Sequence, residues 1–128
     1  MAIPGSSDGQ EVLRRGSMNN QSSDHTSFDF TGALPTVGDE TDTVPANHII
    51  TMLSIIWNDQ STGAEEIRLY TVNGGNNHYI LFDQPLASSG TYIYSERIVI
   101  IGGDALKTGM QSSTSCDIWY SYLDQDWS

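Results

Sequence analysis

Residues 44–72 read V-P-A-N-H-I-I-T-M-L-S-I-I-W-N-D-Q-S-T-G-A-E-E-I-R-L-Y-T-V. An apolar segment runs from Ile49 to Trp57, and an alternating polar and apolar segment runs from Glu66 to Val72. Asn, Asp, Ser and Gly between the two segments favour a reversal of the chain. The stretch therefore predicts a strand, a turn and an antiparallel strand.

The first of these strands is apolar on both of its faces. If side chains alternate strictly, one face of this strand carries Ile49, Thr51, Leu53, Ile55 and Trp57, and the other carries Ile50, Met52, Ser54 and Ile56. A strand of this kind is expected at the centre of a covered sheet, or against another subunit. We therefore predict that Ile50 and Ile56 contribute to a partner interface.

The remainder of the chain repeats the same pattern. Strand-like segments cover residues 78–82, 92–101, 105–111 and 116–123, and Glu96 with Arg97 interrupts the second of them. Turn signals recur at intervals of ~8–12 residues, which is typical of antiparallel all-β domains. Residues 41–128 therefore predict an antiparallel β-sandwich or jelly-roll-like domain of six to eight strands.

Residues 1–40 carry few large apolar side chains and are predicted to form an extended or partly disordered N-terminal arm. This segment is either a disordered leader or an arm that orders against a neighbouring subunit. Its anchors in the second case would be Val12, Leu13, Arg14 and Arg15.

Three aromatic residues are further candidates for a partner interface. Phe28 and Phe30 alternate, and they fit either a short edge strand or a pair of plugs for a partner. Trp127 is expected to fold back or to dock on a neighbour, because an indole left in water loses the benefit of burial.

Charge and cysteine content limit the function classes. The formal net charge is −11, which disfavours binding to nucleic acid and to anionic membranes. The single cysteine, Cys116, excludes an intrachain disulfide and is predicted to be a buried hydrophobic residue. The first residues lack the apolar segment of a secretory signal, so synthesis in a cytoplasm is expected.

No set of residues predicts catalysis or a cofactor. The three histidines, His25, His48 and His78, lie in contexts typical of solvated or edge residues, and zinc-ligand spacings are absent from the sequence. The three neighbouring carboxylates, Asp39, Glu40 and Asp42, predict a solvated turn, with a calcium site as the alternative. Asp124 and Asp126 allow the same two interpretations. We predict no enzyme activity, no cofactor and no bound metal.

A set of aromatic residues, most of them at alternating strand positions, allows two interpretations. Core packing or an assembly interface is the first, and a sugar-binding surface is the second. The residues concerned are Trp57, Trp119, Tyr120, Tyr122 and Trp127.

Two longer motifs resemble a pattern in small virion structural proteins of tailed bacteriophages. The first is T-V-P-A-N-H-I-I-T-M-L-S-I-I-W-N-D-Q-S-T-G-A-E-E-I-R-L-Y, and the second is I-V-I-I-G-G-D-A-L-K-T-G-M-Q-S-S-T-S-C-D-I-W-Y-S-Y. The resemblance covers residues 41–124. It implies a β-sandwich that decorates or cements a capsid, or that belongs to the neck, tail or fibre.

The same resemblance implies partners and assembly. It implies an oligomer, commonly a trimer, located in the virion and bound to the major capsid protein or to other virion proteins. It supplies no catalytic residues.

Overall fold

The computed structural model describes residues 10–112 and 115–127. These residues form nine strands: β1 (Gln10–Gln21), β2 (Thr26–Ser27), β3 (His48–Asp59), β4 (Glu65–Asn73), β5 (Asn76–Leu86), β6 (Thr91–Tyr94), β7 (Ile98–Ile101), β8 (Ala105–Met110) and β9 (Cys116–Asp126). No helix that meets the requirements for crossing a bilayer occurs within these two ranges.

The strands form two antiparallel sheets. The first sheet has the order β1-β9-β3, with β6 and β7 both paired to the far side of β3. The second sheet has the order β2-β8-β4-β5. With β6 and β7 counted as one interrupted strand, this is the strand order of a jelly roll, as the sequence predicted. The break between β6 and β7 includes Glu96 and Arg97, where the interruption was expected.

The predicted boundary between an arm (residues 1–40) and a domain (residues 41–128) differs from the structure. Over residues 10–21 the chain is strand β1, which pairs with β9 from Gln10↔Asp126 to Gln21↔Cys116. Met18 of this strand is buried in the core. The sandwich therefore includes β1, and only residues 1–9 of the predicted arm lie outside the described residues.

A β-bulge corrects the face assignment in β3. Met52 pairs with Tyr122 and Ser54 pairs with Ser121, so Leu53 is an extra residue in β3. An extra residue reverses the direction of the side chains that follow it. Ile50 and Ile55 consequently both face the core, whereas strict alternation had placed them on opposite faces.

Aromatic side chains fill the core, and polar contacts join the two sheets. The ring of Phe28 meets Tyr120 edge-on at 4.7 Å between centroids. Trp57 is fully buried, and its Nε1 donates a hydrogen bond to Thr108 Oγ1 at 3.2 Å. Because β3 and β8 belong to different sheets, this bond ties the two layers together.

Candidate assembly surface

The outer face of the first sheet, the side that points away from the core, carries rows of apolar side chains. Strand register places Leu13, Leu123, Thr51 and Val99 side by side across β1, β9, β3 and β7. Leu13 is 70% exposed and Val99 is 62% exposed. This row therefore presents hydrocarbon to solvent across the whole width of the sheet.

Two parallel rows extend the same surface. Ile49 lies beside Ile101 at one end of the sheet. At the other end, Trp119, Ile56 and Ile93 lie side by side across β9, β3 and β6. A polar row of Arg15, Ser121 and Ser54 separates this last row from the first. Large exposed apolar side chains gathered on one face are nevertheless a feature of association sites.

A groove continues the surface past the edge of β7. It encloses about 880 Å³ and is lined by Pro45, Ala46, Ile101 and Trp127, among others. The backbone N–H of Trp127 donates to the carbonyl oxygen of Asn47 at 3.1 Å, so the end of the chain folds back onto the domain. The indole remains 43% exposed at the rim of the groove and is available to a neighbour.

The charged side chains Arg15 and Glu11 on this surface each interact with a neighbouring side chain. The guanidinium carbon of Arg15 lies 5.1 Å from the centroid of the Trp119 ring, a cation–π contact. Gln125 donates to Glu11 at 2.9 Å. A surface that is poor in net charge suits a protein of charge −11, because contact through it brings few carboxylates together.

The four predicted anchors on β1 have different environments. Leu13 and Arg15 lie on the outer face of the first sheet, whereas Val12 is half-buried. Arg14 Nε lies 3.2 Å from Asp124 Oδ2 and joins β1 to β9. Leu13 and Arg15 are therefore available to a partner, while Arg14 also serves the domain itself.

Three predicted interface residues are core residues in this chain. Phe28, Phe30 and Ile50 are each at most 1% exposed, so they do not lie on its surface. Phe30 packs edge-on against Tyr122 at 5.0 Å. Ile56, by contrast, follows the bulge and faces outward beside Trp119. The prediction of an interface role is therefore wrong for Phe28, Phe30 and Ile50 in this chain, and for the other residues of the set it stays a prediction.

Sequence reasoning missed the contribution of Ile93, Val99 and Ile101. All three are more than half exposed and supply the edge of the apolar surface. The sequence did contain the signal, because I-V-I-I at 98–101 is apolar on both faces of a short strand.

Two histidines are held in polar contacts rather than solvated. His48 Nδ1 lies 2.6 Å from Asp124 Oδ1, and its Nε2 lies 3.7 Å from Asp126 Oδ2. His25 Nδ1 lies 2.5 Å from the Tyr70 hydroxyl. His78 is exposed. The contacts of His48 fasten β3 to β9 at the end of the sheet that borders the groove.

The carboxylates proposed as a calcium site take part in turns and one ion pair. Asp39 Oδ1 accepts hydrogen bonds from the hydroxyl and the N–H of Thr41, which lower the pKa of Asp39. Burial, with Asp29 and Asp39 nearby, raises the pKa of Asp42. Glu40 Oε1 lies 3.5 Å from Lys107 Nζ. Within residues 10–112 and 115–127, no group of three or more His, Cys, Asp or Glu side chains is placed to hold a metal.

Cys116 is fully buried, as predicted. Burial, with Asp59 and Asp117 nearby, raises the pKa of its thiol to about 12. The thiolate is the reactive form, so this cysteine is suited to packing rather than to nucleophilic chemistry.

The fold has counterparts among solved virus structures. No family model and no curated protein matches the chain. A chain in the structure of the infectious bursal disease virus Gx strain superposes with a TM-score of 0.51, at 10% identity, over 99% of this chain and 37% of that one. A chain in the crystal structure of the T13 IBDV viral particle gives a TM-score of 0.45, at 8% identity, over 95% of this chain and 32% of that one. This chain thus spans about a third of those virus chains, and the first superposition shows a shared fold.

Proposed function

We propose that this chain is a non-enzymatic structural protein of a virus particle, a decoration or cement subunit that stabilises the capsid shell. The observation that carries the proposal is the superposition of its jelly roll, over 99% of its length, on a chain of an infectious bursal disease virus structure. The motifs that resemble tailed-phage virion proteins support the same role.

The outer face of the first sheet supplies a surface for that role. Its apolar rows, which include Leu13, Val99 and Ile93, would be covered by neighbouring copies and by the major capsid protein or other virion proteins. Removing them from water would give a gross hydrophobic gain of roughly 25 cal/mol for each Å² of apolar surface buried, and the net stabilisation is what remains after the entropic cost of association. We propose a homotrimer, and we assign Leu13 and Arg15 to contacts with neighbouring subunits.

Paired charge substitutions test the assembly surface. Val99→Asp places a carboxylate in the apolar row, whereas Phe82→Asp adds the same charge on the second sheet, and both side chains are about 60% exposed. Sedimentation equilibrium should give the mass of three 14.0 kDa chains for the wild type and for Phe82→Asp, and that of one chain for Val99→Asp. A wild-type monomer that also fails to co-sediment with capsids would refute the proposal.

A second candidate is a neck, tail or fibre component that binds a carbohydrate or another receptor. The observation that favours it is a pair of exposed aromatic side chains, Tyr79 and Phe82, on the second sheet. These residues differ from the aromatic residues that the sequence suggested, of which Trp57, Tyr120 and Tyr122 are buried in the core.

A further inference from the structure

The second sheet carries an aromatic surface on the side that points away from the core. Tyr70 and Tyr79 are paired across β4 and β5, and their ring centroids lie 4.9 Å apart. Tyr79 meets Phe82 edge-on at 5.0 Å. Tyr79 is 43% exposed and Phe82 is 59% exposed, so two adjoining rings present faces or edges to solvent.

Two irregularities in the pairing of β4 and β5 build this surface. In a regular strand, residues three apart, such as Tyr79 and Phe82, point to opposite sides. Here the register shifts between Leu69 and Tyr70, and again between Ile67 and Leu69. The first shift leaves Ile80 as an extra residue, which brings both aromatic side chains to the same side. Bulges that re-aim side chains are typical of functional surfaces.

A polar pair lies directly beside the rings. Arg68 Nε donates to Asp83 Oδ1 at 2.8 Å, and both side chains are about one-third exposed. The guanidinium carbon of Arg68 also lies 4.5 Å from the centroid of the Phe82 ring. A guanidinium has five N–H donors and a carboxylate has two acceptor oxygens, so this pair has capacity for further hydrogen bonds.

The backbone at Asp83 is held in an uncommon conformation. Its φ is +58°, in the left-handed region, which aspartate adopts more readily than most residues other than glycine. Such conformations persist where the surroundings fix them, and they cluster at ligand sites. The hydrogen bond from Arg68 is a contact that fixes this one.

We propose that Tyr79, Phe82, Arg68 and Asp83 form a binding site for an uncharged glycan. A pyranose ring has an apolar face of C–H groups and a rim of hydroxyl groups. The aromatic rings suit the first, and the Arg68–Asp83 pair can donate to and accept from the second. The site specifies the residues and the ligand class for the second candidate function, and it does not depend on the cement role.

The charges of this surface favour an uncharged ligand. Arg68 is paired with Asp83, and Lys107 lies near Glu40, so the local positive charges are compensated. The whole chain carries −11, and a sialylated or uronic glycan would meet that field.

The test uses the full-length chain on an array of uncharged and sialylated glycans, followed by titration calorimetry with the best monovalent glycan. Tyr79→Ala and Phe82→Ala are each expected to weaken binding by about tenfold. Arg68→Lys keeps the charge but loses the planar fork, and a similar loss is expected. Leu34→Ala is the control, because Leu34 is 60% exposed and lies between β2 and β3, outside both sheets.

Each outcome decides the proposal. Binding of an uncharged glycan that falls with Phe82→Ala and persists within about twofold in Leu34→Ala supports the site. No binding to any uncharged glycan overturns it, and so does undiminished binding by Phe82→Ala. The sedimentation mass of each variant reports separately on assembly, so failure of the glycan site is distinguishable from failure of the cement role.

Discussion

Substituting Gly16 with alanine tests whether β1 is part of the folded domain. A Cβ at this position would lie 2.3 Å from both Cζ and Oη of Tyr120 and 2.8 Å from its Cε1. Tyr120 is fully buried, and its hydroxyl donates to the carbonyl oxygen of Asp29 at 3.1 Å. The ring cannot move aside without disturbing its contact with Phe28, 4.7 Å away.

The expected cost follows from those contacts. Overpacking a core costs about 1–3 kcal/mol, and loss of the tyrosine hydrogen bond adds about 1 kcal/mol. We therefore expect Gly16→Ala to lower the free energy of unfolding by about 2–4 kcal/mol. In a disordered segment the same change would be neutral, and in a regular strand with free space it would be slightly stabilising.

The measurement is urea unfolding followed by tryptophan fluorescence, since Trp57 is fully buried in the native state. Gly63→Ala is the control, because a Cβ there would have no heavy atom within 4 Å. Equal stability of Gly16→Ala and the control would refute the packing of β1 against Tyr120.

Three further predictions follow from the core and the first sheet. Cys116 should resist alkylation at pH ~8 in the native protein and should react once urea unfolds the chain, because burial raises the pKa of its thiol to about 12. Rapid alkylation of Cys116 in the native protein would contradict this prediction. Burial also raises the pKa of both Tyr70 and Tyr122 to about 12, above the value of about 10 expected in the unfolded chain. The stability that their neutral side chains confer should therefore be complete below pH ~10 and should fall as the pH rises from about 10 to about 12. A urea midpoint that stays constant from pH ~9 to ~11.5 would count against this prediction. Ile50→Asp should prevent folding, because Ile50 is fully buried, whereas Ile56→Asp should leave a folded chain that does not assemble. Circular dichroism reports the folding of each variant, and sedimentation reports its assembly. An Ile56→Asp protein that still assembles would contradict the proposed surface.

Strong local patterns made much of the fold predictable. β3, β4, β8 and β9 each contain alternating or continuous apolar residues, and their positions follow the sequence to within a few residues at either end. The break between β6 and β7 also left a local signal at Glu96 and Arg97. The burial of Cys116 followed from its place in an alternating strand.

Strand β1 escaped prediction because its inward positions are not uniformly apolar. At Gly16, the ring of Tyr120 occupies the space that a Cβ atom would need. Arg14 bonds with Asp124, which lies 110 positions away in sequence. These partners become neighbours only when β1 pairs with β9, so a local pattern could not reveal them.

β-Bulges are the reason why the residues of the candidate surfaces could not be predicted from the sequence. The extra residue Leu53 moved Ile56 to the outer face and kept Ile55 in the core. The irregularities in β5 brought Tyr79 and Phe82 together. Each is a one-residue change in pairing, and a two-residue repeat in sequence carries no mark of it.

The most direct test of the central claim is immunogold labelling of intact, purified virus particles with an antibody to this chain. A capsid decoration or cement subunit predicts label distributed over the whole shell. Label confined to a neck, tail or fibre would contradict that role and support the second candidate. Particles that carry no label, and from which mass spectrometry recovers no peptide of this chain, would contradict a place in the virion altogether.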